Sequence, residues 1–174
     1  MNLSKPKLSE RMLLFLSLGI KDKPFWDICC GHGYVGLGAL KSNFSEVHFV
    51  DQVPHIMDKI RLRFERFPPV SEVKYYFHPI SAERINIDIF GNCLIAGVGG
   101  LTIKNIIEPL IENNKLQADR LILSPHTDEK VLLNCISSSV VQGKYLIKEK
   151  IIFNEKKKSR SIYVLDLKKD SKGN

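Results

Sequence analysis

The feature that most constrains this chain is the alternation of short apolar runs with longer helical patterns. Five runs read as strands: Phe25 to Cys30, Glu46 to Asp51, Glu72 to Phe77, Asn92 to Ala96 and Arg120 to Ser124. Near-continuous apolar runs of this length suit strands covered on both faces. Between them lie helical patterns at Tyr34 to Lys41, His55 to Phe67, Leu101 to Glu112 and Asp128 to Val141. Strand–helix alternation implies a parallel sheet with helical crossovers. The rhythm changes at the end. Tyr145 to Phe153 and Ser161 to Leu167 flank a polar, basic tip at Asn154 to Ser159, which predicts an antiparallel hairpin. Before the first strand, Ser9 is placed to cap a helix running to about Leu18, within a helical N-terminal segment at about 4–19, and Gly19 follows as its stop. The expected fold is therefore α/β: a seven-stranded, mostly parallel sheet closed by an antiparallel hairpin.

A chain of 174 residues is the size of one domain, and no linker or repeat divides it, so 1–174 reads as a single unit. With 44% hydrophobic and 26% charged residues it has the composition of an ordinary globular protein. That excludes a disordered chain, a collagen-like repeat and a disulfide-built miniprotein. The longest apolar runs, such as Met12 to Leu16, fall far short of the roughly 20 residues of a membrane helix. The N-terminus lacks the order of a signal peptide. Cys29, Cys30, Cys93 and Cys135 form no Cys-x-x-Cys pair, and adjacent cysteines bridge poorly. His48, His55 and His78 lack the spacing of a metal site. A reduced, cytoplasmic protein without metal or membrane is expected.

The stretch Asp27-Ile-Cys-Cys-Gly31-His-Gly33-Tyr-Val-Gly36 follows the first strand and opens a helix. Glycines there let the backbone turn sharply and approach a ligand. The Gly-x-Gly-x-x-Gly match admits a dinucleotide as well as S-adenosylmethionine, and Asp51, at the end of the second strand, is placed to accept from a ribose in either. Asp27 separates the two. A carboxylate inside the first strand is costly unless something pairs it. A pyrophosphate is anionic and seeks bare helix amides, whereas S-adenosylmethionine brings an ammonium and a sulfonium. The chain also has no room for the catalytic domain of a dehydrogenase. Together with the terminal hairpin, this reads as a Rossmann-like class I methyltransferase. The bland alternatives are an Asp27 bonded to neighbouring backbone and an ordinary glycine turn.

A second segment narrows the family. Leu94-Ile-Ala-Gly-Val-Gly-Gly100 precedes Leu101-Thr-Ile-Lys-Asn-Ile-Ile. This resembles the bacterial tRNA adenine-N1 methyltransferases acting at position 22, which carry Ala-Gly-Met-Gly-Gly at the end of the fourth strand. The resemblance extends to Leu8-Ser-Glu-Arg-Met (Leu-Ser-x-Arg-Leu in the family), to His32-Gly-Tyr34 (Asp-His-Ala-Tyr) and to Leu121-Ile-Leu-Ser-Pro-His126 (Leu-Gln-Pro-Asn). It covers most of the chain and implies methyl transfer from S-adenosylmethionine to N1 of an adenine in tRNA. The implied cofactor residues are Asp27, Cys30, Gly31, Gly33, Asp51, Gln52, Ile80, Ala96 and Gly97. Three departures stand out. Phe77-His-Pro-Ile-Ser-Ala82 lacks the family's Asp-Gly after the third strand, His126 replaces Asn, and the family's helical, coiled-coil-like C-terminal extension has no counterpart.

Adenine N1 has a lone pair and needs no prior deprotonation, so such an enzyme mainly positions and desolvates the reactants. The residues placed to do this are His32 and Tyr34 by the glycine turn, Gly99 and Gly100 beside Gly97, and His126 at the end of the fifth strand. Tyr34 is placed to stack on a base or to pack its helix, and the glycines to admit a flat base or to form a tight turn. His126 is placed as a hydrogen-bond donor or a base, or as a plain loop residue. Lys plus Arg number 26 against 19 Asp plus Glu, a net charge of +7. From Lys148 to Lys172 there are nine basic residues against four acids, with Lys156, Lys157 and Lys158 at the hairpin tip, and Lys59 to Arg66, Lys5, Lys7 and Arg11 add more. Solvated faces are the default for such runs, and RNA phosphate contact is the functional alternative. Two rival readings accompany RNA methylation: a methyltransferase for a small molecule or protein, and a non-catalytic RNA-binding protein that keeps the fold.

Overall fold

The computed structural model describes residues 8–68, 72–155 and 158–169. Lys5, Lys7, Lys156, Lys157 and the end of the polar tail lie outside them. Seven strands form one sheet: β1 (Phe25–Ile28), β2 (Glu46–Val50), β3 (Lys74–His78), β4 (Asn92–Ala96), β5 (Arg120–Ser124), β6 (Tyr145–Glu155) and β7 (Lys158–Leu167). Their order is β3-β2-β1-β4-β5-β7-β6, parallel up to β5, with β7 antiparallel to β5 and to β6. This is the expected sheet, terminal hairpin included. The hairpin strands run closer to the tip than the sequence reading placed them.

Among the described residues six helices cover the sheet: α1 (Glu10–Leu18), α2 (Tyr34–Ala39), α3 (Pro54–Arg66), α4 (Gly100–Glu112), α5 (Glu129–Ile136) and α6 (Ser139–Lys144). Phe15, Leu16, Val35, Met57 and Phe64 from α1–α3 pack with Phe25, Phe49 and Ile122 on one face. Ile103, Ile107, Leu132 and Val141 from α4–α6 pack with Trp26, Ile95 and Leu123 on the other. Strands β1, β4 and β5 are buried almost throughout because helices lie on both sides. Strand β3 departs from the two-face expectation: it is an edge strand, and Tyr75 and Tyr76 are exposed.

Local chemistry sets the boundaries. The Ser9 hydroxyl accepts from the Met12 N–H at 3.3 Å and starts α1, a helix cap as expected. Pro54 occupies the first turn of α3, where its missing N–H costs nothing. The buried Asn92 side chain accepts from Ile20 N–H at 2.7 Å and donates to the carbonyls of Ile20 and Pro24, which ties the α1–β1 link to β4. Arg120 and Asp166 form a two-pronged ion pair at 2.6 and 2.8 Å that locks β5 to the hairpin. All four cysteines are free thiols. Among the described residues, no helix is long and apolar enough to cross a membrane.

Candidate active site

Strand β1 ends where Cys29 turns into the left-handed region at φ +56°. A side-chain-bearing residue in that region is strained and such residues concentrate at functional turns. The kink aims the following amides across the strand ends: Cys30 N–H donates to the Val50 carbonyl at 3.0 Å, and Gly31 N–H to Asp51 Oδ2 at 3.0 Å. The other Asp51 oxygen accepts from Val53 N–H at 3.0 Å. Two backbone amides thus fix the Asp51 carboxylate at the rim of a cleft of about 550 Å³, a volume suited to a small-molecule cofactor.

The cleft lies beyond the carboxyl ends of β1 and β2. Its walls include Asp51, Gln52 and Ile80, three of the sequence-assigned residues, together with Cys29, Val98, Thr102 and Asn105. Cys29, not Cys30, faces it. Cys30 packs on the α3 side, with its Sγ 3.9 Å from Met57 Sδ. Neither thiol is a nucleophile: burial and the Asp51 and Asp27 charges push Cys29 up to about 12, and burial raises Cys30 as well. Also on the wall are Ser81 and Glu83, on the short 3-10 turn Ala82–Arg84 or just before it. Ser81 Oγ donates to Glu83 Oε1 at 2.5 Å and lies 3.2 Å from Gln52 Oε1. No acid stands directly after β3; Glu83, five residues beyond His78, reaches the cleft instead. Its signal is the Ser81-Ala-Glu83 spacing, which the turn folds back toward Gln52.

Asp27 lies beneath the glycine turn, 5% exposed, and accepts from the Gly36 N–H at 2.9 Å. The bond to neighbouring backbone weighed from the sequence is therefore present. It does not neutralise the charge. Burial pushes the carboxyl from 3.8 up to about 7, the Gly36 bond opposes this, and the Asp51 charge adds to it. Among the described residues, no basic side chain is within ion-pair distance of Asp27 or Asp51. Two acids without a cation beside a cleft are a cation-accepting arrangement.

The glycines divide by what surrounds them. Gly31 (φ +52°) and Gly97 (φ +79°) require the left-handed region and have open space where a side chain would stand. Gly33 (φ +68°) also requires the left-handed region, but there a Cβ would meet Ile60 at 2.9 Å; Gly36 and Gly100 serve packing instead, since a Cβ would meet Phe49 at 2.2 Å and the Asp128 carbonyl at 2.2 Å. At Gly99 it would meet Thr127 and Asp128 oxygens at 3.0 Å. Ala96 ends β4 just before Gly97.

The candidate catalytic side chains form two groups. Beside the glycine turn, His32 and Tyr34 stack at 5.6 Å, Arg63 lies over the Tyr34 ring at 5.1 Å, and the Arg63 guanidinium donates to the His32 carbonyl. After β5, His126 N–H donates to the Val98 carbonyl at 2.7 Å, tying this loop to the β4–α4 turn. His126 Nε2 accepts from Arg160 at 2.9 Å. That bond uses the lone pair a general base needs, and the Arg160 charge, ahead of burial and of Arg11 and Lys158, lowers the pKa of His126. The arrangement favours a neutral imidazole that donates through Nδ1. His48 and His78 belong to neither group. They pair with each other at 2.9 Å, and His48 stacks on Trp26. Among the described residues, no three His, Cys, Asp or Glu converge as metal ligands.

Known proteins share this architecture. An uncharacterised protein from Listeria monocytogenes serotype 4b superposes with a TM-score of 0.75 at 24% identity, over 92% of this chain and 68% of its own. The B. subtilis m1A22 tRNA methyltransferase TrmK gives 0.73 at 22%, over 92% and 66%. TrmK of M. capricolum, solved with S-adenosyl-homocysteine, gives 0.69 at 20%, over 91% and 68%. The chain thus spans about two thirds of the length of these relatives. No curated protein sequence matches significantly. Residues 8–163 match the family model described as Methyltransferase domain, and on that match this chain belongs to the methyltransferase-domain family.

Proposed function

We propose that the protein transfers a methyl group from S-adenosylmethionine to RNA, with N1 of an adenine in tRNA as its target. The observation that carries the cofactor reading is the buried, cation-free pair Asp27 and Asp51 at the glycine turn, with Asp51 on the cleft wall. Asp27 and the open space at Gly31 suit the ammonium end. The Asp51 oxygens keep lone pairs beyond their two amide bonds and suit ribose hydroxyls. Glu83, braced by Ser81, suits the adenine amine and fills the role of the acid absent directly after β3. Ile80, Val53 and Ile56 give the apolar walls a flat base needs.

When bound, the cofactor supplies an electrophilic methyl group. The chain's own part is to position a nitrogen lone pair that needs no base, which accords with a His126 whose Nε2 is already occupied. Open space at Gly97 leaves room beside the β4 turn, and Tyr34 and His32 offer a stacking surface. The RNA reading is supported by the net charge of +7, by the motifs shared with tRNA adenine-N1 methyltransferases and by the likeness to TrmK. The test is transfer of a tritiated methyl group to bulk tRNA, with digestion to locate the product. Incorporation as 1-methyladenosine is expected. Cofactor binding without incorporation into RNA would redirect the search to a small-molecule or protein acceptor. Absence of cofactor binding in calorimetry would overturn the reading as a whole.

A further inference from the structure

We infer that Arg160, with His126, Lys158 and Arg11 around it, forms a phosphate subsite that grips the nucleic-acid backbone beside the target base. The inference rests on the RNA reading above and names a contact within it. Arg160 stands on β7, paired with Phe153 across the hairpin, and Lys158 is paired with Glu155 two residues on, so their side chains share one face. Glu155 reaches α1 through an ion pair with Arg11 at 3.5 Å. The Arg160 guanidinium reaches the β5–α5 loop: Nη1 donates to the His126 carbonyl at 2.8 Å and Nη2 to His126 Nε2 at 2.9 Å. Three separate parts of the fold therefore bring Arg11, Lys158, Arg160 and His126 together, and only Glu155 among the acids named here stands with them.

The contrast with Arg120 identifies the function. Arg120 spends its charge on Asp166 through a two-pronged ion pair. Arg160 is also held at two points, but by a carbonyl and an imidazole. Among the described residues no carboxylate is within ion-pair distance of it, and its buried Nε has no hydrogen-bond partner. Each terminal nitrogen keeps a second N–H. A guanidinium that is oriented but not neutralised is preorganised for an anion, and its planar fork matches phosphate oxygens. Position supports the same conclusion. His126 is exposed and its N–H is bonded to the carbonyl of Val98, which lines the cleft, so one backbone bond ties the cluster to the cleft wall.

The test is equilibrium binding of bulk tRNA to the full chain, saturated with S-adenosylhomocysteine, over a series of salt concentrations. Arg160→Gln is expected to weaken binding about tenfold, the loss of one charge-assisted contact, and to lower the slope of log affinity against log salt by about one. Arg160→Lys should restore that slope, and Lys148→Gln, on the same hairpin but paired with Asp166, should leave it unchanged. Calorimetry should give all variants wild-type affinity for S-adenosylhomocysteine. An unchanged slope in Arg160→Gln overturns the subsite. Equal weakening by Gln and Lys with no change of slope also overturns it, since the side chain would then only brace His126. A Lys148→Gln effect as large as that of Arg160→Gln overturns it in favour of diffuse charge. If the wild-type protein binds the cofactor but no tRNA, the RNA reading itself fails, an outcome separate from all three.

Discussion

At neutral pH the Asp27 carboxyl is poised near half protonation, because burial raises it from 3.8 to about 7. Between those values the folded protein binds a proton that the unfolded chain does not. The stability this group contributes is therefore complete below about pH 4 and is lost as pH rises through about 7. Asp27→Asn should flatten that slope, leaving the variant more stable than wild type at pH 8, since the amide oxygen can still accept from Gly36. Urea melts at pH 5 and pH 8 check this, and an unaltered slope would assign the proton elsewhere. A cationic ligand selects the ionised form, so wild-type affinity for S-adenosylmethionine should rise as pH increases through about 7. In Asp27→Asn the affinity should fall at least tenfold and lose that pH dependence. Glu83 has a separate test. Wild type should prefer S-adenosylhomocysteine to its inosine analogue, in which an oxygen replaces the adenine amine, and Glu83→Gln should lose most of that preference. Equal preference in both proteins would remove Glu83 from the base-binding wall. Asp27 was legible because an acid inside an apolar strand demands a partner. Cys29 and Glu83 were not: nothing in the sequence marks a cysteine for the left-handed region, and Glu83 reaches the cleft only through a 3-10 turn.

The elements divide in the same way. Strands β4 and β5 coincide with their apolar runs because both are buried on two faces. Strands β1 and β2 stop short of the expected ends, where Cys29 kinks and where Asp51 turns its side chain to the amides of Gly31 and Val53. One long helical pattern, 128–141, is two helices. Leu132, Cys135, Ile136 and Val141 keep a shared apolar side across the break, and periodicity cannot detect it. The break is made by Ser138, extended at ψ 155°, whose hydroxyl accepts from the Val141 N–H and caps α6. Ser138→Ala should cost about 1 kcal/mol in a thermal melt, with cofactor affinity unchanged because α6 lies away from the cleft. Full stability in that variant would mean that packing of Val141 and Tyr145 defines the break without the cap.

At the scale of the whole molecule, the sheet order reverses direction between β1 and β4, and the cleft opens beside that reversal. Ligands in open α/β sheets bind at such points because adjacent crossovers leave to opposite faces. Here the reversal also separates two cores, one under α1–α3 and one under α4–α6. The cleft walls come from both sides: Val53 and Ile56 lead from β2 into α3, while Thr102 and Asn105 stand on α4. This much followed from the strand–helix rhythm and the glycine turn, whereas the joint lining depended on how two helix layers meet. A ligand held there links the two layers, so it should stabilise the molecule as one unit. At a ligand concentration of one hundred times Kd, the stabilisation is about 2.7 kcal/mol, or a rise of roughly 5–10 °C in Tm for a domain of this size. S-adenosylhomocysteine should produce that rise in a single cooperative transition, seen equally by tryptophan fluorescence, which reports Trp26 in the α4–α6 core, and by far-ultraviolet dichroism, which reports all the helices. Asp27→Asn should show a much smaller rise at the same ligand concentration, although its own Tm at pH 8 is higher. A shift in the fluorescence transition alone would mean that the ligand rests on one layer, and the cleft would then not be the joint site its lining describes.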